Sequence, residues 1–150
     1  MKRSARLKHL RDEVDTRQAE CRQRVLRAEQ RVRDAQTRLA ELRHYCEEYA
    51  RGFEGRLTAG IGGAGFRDYQ AFLARLEEAV RQQGQHLARS EAELEQERER
   101  WREAAVQVKA VESVTQRWCR DEAVAAQRVE QKLTDEHGLD AARRSERENT

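Results

Sequence analysis

The sequence predicts an all-α fold: two long helices paired as an antiparallel coiled-coil hairpin. Three observations carry that prediction. The 150 residues contain no proline, where an average chain of this length holds roughly seven. Apolar residues recur at alternating steps of four and three over many heptads. Six of the eight glycines fall between Gly52 and Gly65 and cut this rhythm in two.

The composition excludes other classes. Ala, Glu, Lys, Leu and Arg make up 84 residues, and 39 % of the chain is charged. Lys plus Arg (30) nearly cancels Asp plus Glu (28), leaving a net charge of +2. Leu, Ile, Val and Phe number only 26, too few for a compact globule and poor material for sheets. Disorder would bring higher net charge or more Pro and Gly. No apolar run is long enough to span a bilayer. Residues Met1–Leu10 carry Lys2, Arg3, Arg6 and Lys8 without the apolar stretch of a secretory signal.

The first helix is predicted from its seam. Cys21, Val25, Ala28, Val32, Ala35, Leu39, Leu42, Cys46, Tyr49 and Phe53 follow the a/d spacing of a coiled coil. Leu7, Leu10 and Val14 extend it upstream, with one extra four-residue step before Val25, a stutter that locally unwinds the supercoil. Cys21 and Cys46 read as small apolar seam residues.

The second helix carries two seven-residue series. Leu73, Val80, Leu87, Leu94, Trp101, Val108, Thr115, Glu122 and Val129 form the more apolar one. Tyr69, Leu76, Gln83, Ser90, Glu97, Ala104, Val111, Trp118, Ala125 and Lys132 form its companion. Because the companion turns polar at Gln83, Ser90 and Glu97, the middle of this helix is expected to pack on one narrow line.

Glycine costs roughly 1 kcal/mol inside a helix, so both helices are expected to stop at the glycine cluster. A short connection returns the second helix antiparallel to the first. The boundaries predicted for this single hairpin domain are helix one over about 4–51, a turn over 52–65, and helix two over about 67–137. Gly138 then stops helix two and starts a frayed polar tail over 138–150. At 1.5 Å per residue the helices measure about 75 Å and about 105 Å. Helix two should therefore overrun the start of helix one from near Trp118, leaving Val124, Ala125, Val129 and Leu133 without an intramolecular partner.

A second surplus lies near the turn. Tyr45, Phe72 and Ala79 are apolar but off the seam. With Leu42, Tyr49, Leu76 and Gln83 they form a second stripe. A two-helix hairpin has one inner face, so this stripe is expected to be partly exposed, and contiguous apolar exposure marks interfaces.

Several motifs carry no chemistry in this setting. Gly60, Gly62 and Gly65 spell a dinucleotide-type glycine fingerprint, but a helix precedes it where a strand is required. The cysteines Cys21, Cys46 and Cys119 contain no C-x-x-C pair, and His9, His44, His86 and His137 are scattered. No metal site, no cofactor and no catalytic residue is expected, because a bare hairpin offers no enclosed pocket. Arginines alternate with glutamates, as at Glu97-Arg98-Glu99-Arg100. That pattern reads as solvated coiled-coil flank, not as a nucleic-acid face.

Tyr45-Cys-Glu-Glu-Tyr49, the glycine-bearing loop, and the stretch from Tyr69 to Gln83 resemble the FliJ family of type III export proteins. Downstream, Trp101-Arg-Glu and Arg128-Val-Glu-Gln131-Lys132-Leu-Thr-Asp135-Glu136 resemble its later helix. The injectisome counterparts (the YscO type) share this length and architecture, so the export system, flagellar or injectisome, stays open.

The resemblance implies a non-enzymatic stalk protein, similar to the γ subunit of rotary ATP synthases, at the cytoplasmic face of the inner-membrane export apparatus. It implies a terminal coiled coil in the pore of a hexameric export ATPase, carried here by Trp118, Val124, Ala125, Val129, Gln131, Lys132 and Leu133. It implies a tip that contacts an FlhA-like export gate through Leu42, Tyr45, Tyr49, Phe72, Leu76, Ala79 and Gln83. Export chaperones are further implied partners, and any membrane association would run through these partners. The residues alone also fit a generic coiled-coil adaptor, or an export chaperone or escort.

Overall fold

A computed structural model describes residues 3–149; Met1, Lys2 and Thr150 of the predicted domain lie outside the described residues. Two helices account for nearly all of it, α1 (Arg3–Ala59) and α2 (Gly63–Glu148), and no strand occurs among the described residues. The chain is therefore all-α, as its composition and periodicity predict.

The helix boundaries differ from the predicted ones. Helix one continues through Gly52 and Gly55 to Ala59, and helix two starts at Gly63 and runs through Gly138 to Glu148. The turn is only Gly60-Ile61-Gly62. One residue suffices to reverse the chain: Gly60 adopts φ +87°, the left-handed conformation that ends a helix, and its N–H donates to the Leu57 carbonyl at 3.3 Å. The other glycines cost helix stability without forbidding helix. Aromatic packing across the two helices offsets that cost at Gly52 and Gly55. No packing of that kind supports Gly138, which lies in an exposed stretch of α2.

The chain forms two compact units, Gln18–Ala104 and a second one combining the chain up to Arg17 with Ala105 onward. In the Gln18–Ala104 unit the predicted seam is the core. Cys21, Ala28, Val32, Ala35 and Leu39 of α1 are buried, as are Tyr69, Leu76, Ser90, Leu94 and Ala104 of α2. Val25 and Leu87 pack against the cluster of Ala28, Val32 and Leu94. Two cross-helix contacts fix the antiparallel register. Gln83 Nε2 donates to the Ala35 carbonyl at 3.2 Å, and Tyr49 stacks on Tyr69 at 4.9 Å. The same register sets Ser90 level with Ala28, and Glu97 level with Cys21.

This corrects the expectation that the polar series would leave the seam. Ser90 is only 4 % exposed, and the Glu97 side chain is 16 % exposed. The physical reason sits on the opposite helix. Cys21, Ala28 and Ala35 are small, so α1 leaves room for polar side chains to lie across it. Gln83 finds a carbonyl there; Glu97 pairs with Arg100 through Oε1 at 3.0 Å, while its Oε2 is buried without a partner. Trp101 departs in the other direction, with 36 % of its surface open. Across the seam Arg98 meets Glu29 at 3.7 Å. The remaining ion pairs, such as Arg102 with Glu95 and Glu99, are exposed and lie within a single helix. Each such pair contributes little.

In the second unit, Leu7 is buried and Val14, Val108, Val111, Thr115 and Trp118 are half-buried. Leu10, predicted for the seam, is 42 % exposed. It lies on the rim of a shallow groove lined in part by Leu10, Val14, Ala110 and Val111.

Candidate functional site

The tip is built by five rings. Phe53 stacks on Tyr69 with centroids 3.4 Å apart, Tyr69 stacks on Tyr49, and Tyr49 meets Phe72 at 4.7 Å in a tilted pair. Phe66 closes the far end against Phe53 at 5.6 Å. Tilted pairs such as Tyr49 with Phe72 and Phe53 with Phe66 are a favoured arrangement of aromatic groups, and both join α1 to α2 at the turn. At the turn itself Ile61 folds over Gly65, where a Cβ would stand 2.9 Å from Ile61 Cγ1. Burial raises the Tyr69 hydroxyl above the ordinary tyrosine range, reinforced by Tyr49, Glu54 and Glu77.

The seven tip residues singled out in the sequence do not form one open stripe. Tyr45 is exposed, at 50 %. Leu42 and Ala79 are half-buried. Tyr49 and Phe72 are rungs of the ladder, Leu76 is buried in the seam, and Gln83 is engaged with Ala35. Each helix reaches closer to the turn than predicted, and this extra packing absorbs part of the expected surplus. The sequence reading missed the exposed apolar residues at the turn, Leu57 at 49 % and Phe66 at 38 %. It also missed a groove flanked by Arg56 and Arg75, whose walls include Tyr49, Ile61 and Phe72. The aromatic spacing on both sides of Gly60 was the available signal.

The overhang appears where length arithmetic puts it and runs further. Trp118 is half-buried, with the Arg3 guanidinium carbon 5.6 Å from its ring centroid, a cation–π contact. Beyond it every described residue of α2 is exposed except the half-buried Glu122. Val124 (45 %), Val129 (59 %), Leu133 (51 %) and Leu139 (59 %) are open, as are Ala125, Gln131 and Lys132. Of the seven residues singled out for this end, Trp118 alone is covered.

No cluster of three or more His, Cys, Asp or Glu side chains that could hold a metal occurs among the described residues. Cys21 is buried, Cys46 half-buried and Cys119 exposed, all as free thiols. No described helix is long and apolar enough to cross a membrane.

The chain is 28 % identical over 131 residues to the flagellar FliJ protein of Escherichia coli strain K12, which covers 78 % of this chain and 89 % of that relative. No solved structure matches it. The family model described as flagellar FliJ protein matches residues 2–147, nearly the full chain, and the chain accordingly belongs to the FliJ family.

Proposed function

We propose that this chain is a central stalk of a type III protein export apparatus, coupling a hexameric export ATPase to an FlhA-like gate without chemistry of its own. The observation that carries the reading is the end of α2. About 26 helical residues past Glu122 continue the coiled-coil positions with no described residue of α1 across from them. A helix that keeps Val124, Val129 and Leu133 in water is built to be covered. Its alternating charges suit a polar pore better than an apolar one. In this reading the overhang enters the ATPase ring, and the tip offers Tyr45, Leu57 and Phe66 to the gate. The stalk then favours whichever ring and gate states it binds best.

The test is truncation before Trp118, with ATP hydrolysis by the cognate ATPase as the readout. The shortened chain should lose its stimulation of the ATPase while keeping the hairpin's helical signal. Intact stimulation by the truncated chain would remove the insertion model.

A further inference from the structure

We infer that the overhang of α2 pairs with the overhang of a second copy, antiparallel and in one defined register. The inference stands on the continuity of an existing interface and on charge. Seam positions of α2 are at least half-covered at Trp118 and Glu122, and the same heptad positions continue as Ala125, Val129, Lys132 and Leu139, with no described residue of α1 opposite them. A helix lying where α1 ends would extend the interface without a break. A second overhang has the matching length and the same periodicity, and an antiparallel pair of identical segments closes with two-fold symmetry.

Charge selects the register. Setting Val129 against Lys132 of the second copy places each Arg128 beside the Asp135 of the other copy, giving two opposite-charge pairs on the flanks. The same alignment sets Ala126 beside Leu133. Sliding by one heptad in one direction puts Arg128 beside Arg128. Sliding by one heptad in the other puts Asp135 beside Asp135. Like charges on the flanks disfavour both. The chosen register also ends in the right place. Arg143 of one copy comes level with Trp118 of the other, where α1 starts, and from Arg143 on the sequence is entirely polar. Lys132 and Glu136 in the seam keep the association weak and reversible.

The pairing belongs to the free chain, in which no ATPase ring covers the overhang, and its test uses the full chain alone. In sedimentation velocity over about 1 to 500 μM, the chain should shift from monomer to a species of twice 17.5 kDa. Arg128→Asp and Asp135→Arg should each abolish the dimer, and the double swap should restore it. Register is read by cross-linking. The thiol introduced by Asp140→Cys should join Cys119 of a second copy through a short bis-maleimide, whereas the one introduced by Leu133→Cys should not. Within one straight helix, positions 119 and 140 stand about 32 Å apart, out of reach of the linker. Far-ultraviolet dichroism checks that each variant stays helical. A chain that remains monomeric at 500 μM overturns the inference. So does a dimer indifferent to the single swaps, or a double swap that fails to restore pairing.

Discussion

Glu97→Leu should make the hairpin more stable, although it deletes an ion pair. Glu97 lies level with Cys21 in the seam, its side chain 16 % exposed and its Oε2 buried without a hydrogen-bond partner. A buried acceptor left unmet costs about 1–3 kcal/mol. The Arg100 contact that Leu would forfeit is carried by a guanidinium more than half exposed, so it contributes no more than about 1 kcal/mol. An aliphatic side chain at the same place adds roughly 1 kcal/mol of apolar burial. The net expectation is a gain of about 2 kcal/mol, or about 4–8 °C in Tm for a chain of this size. Urea unfolding followed by dichroism at 222 nm measures it, with Glu97→Gln as the shape-preserving control. A neutral or destabilising Glu97→Leu would mean that Oε2 is met in solution, and the seam argument for the polar series would fail. The stabilised variant should also tolerate register errors more readily, since a buried polar group specifies register at a cost in stability.

Three further outcomes follow from the described contacts. Leu94→Ala, which empties the centre of the cluster with Ala28 and Val32, should cost about 2 kcal/mol in the same urea assay, at the low end for a core leucine because a two-helix seam stays partly wet. Gly60→Ala should cost about 1 kcal/mol through its positive φ alone, while Gly52→Ala, with open space around the added Cβ, should gain about 1 kcal/mol; thermal melts of the two variants should move in opposite directions. With Tyr45→Phe and Tyr49→Phe leaving Tyr69 as the sole tyrosine, absorbance at 295 nm should show it ionising above the ordinary value, because burial disfavours the phenolate. Since that value is raised on folding, the stabilisation is full below the unfolded tyrosine value and is lost as pH rises through the folded one.

The seam was legible because apolar spacing is local: Val25, Ala28, Val32 and Leu94 each announce their face within one or two turns of helix. The overhang was legible because helix length is arithmetic. What failed were features that depend on the opposite strand of the hairpin. Gln83, Ser90 and Glu97 look like solvent positions until Ala35, Ala28 and Cys21 are set against them, and nothing in α2 alone declares that pairing. Gly52 and Gly55 look like helix ends until Phe53 is seen stacked on Tyr69. Counting apolar residues near the turn found a surplus and placed Leu76 in the seam, where it is buried, but did not single out Leu57 and Phe66, which are left outside.

The aromatic ladder also sets an order of events in folding. Phe53 and Phe66 are joined by a loop of only a dozen residues, which closes in about 10–100 ns, whereas Glu29 and Arg98 must bring together residues far more distant along the chain. Loop closure costs more entropy as the loop lengthens, so the rings at the turn are the least costly first contact. Each pair formed then shortens the next loop to be closed. The Gln18–Ala104 unit thus grows as a zipper from Gly60 outward through the cluster of Ala28, Val32 and Leu94, and among its last teeth is the polar layer at Glu97, where the step gains least.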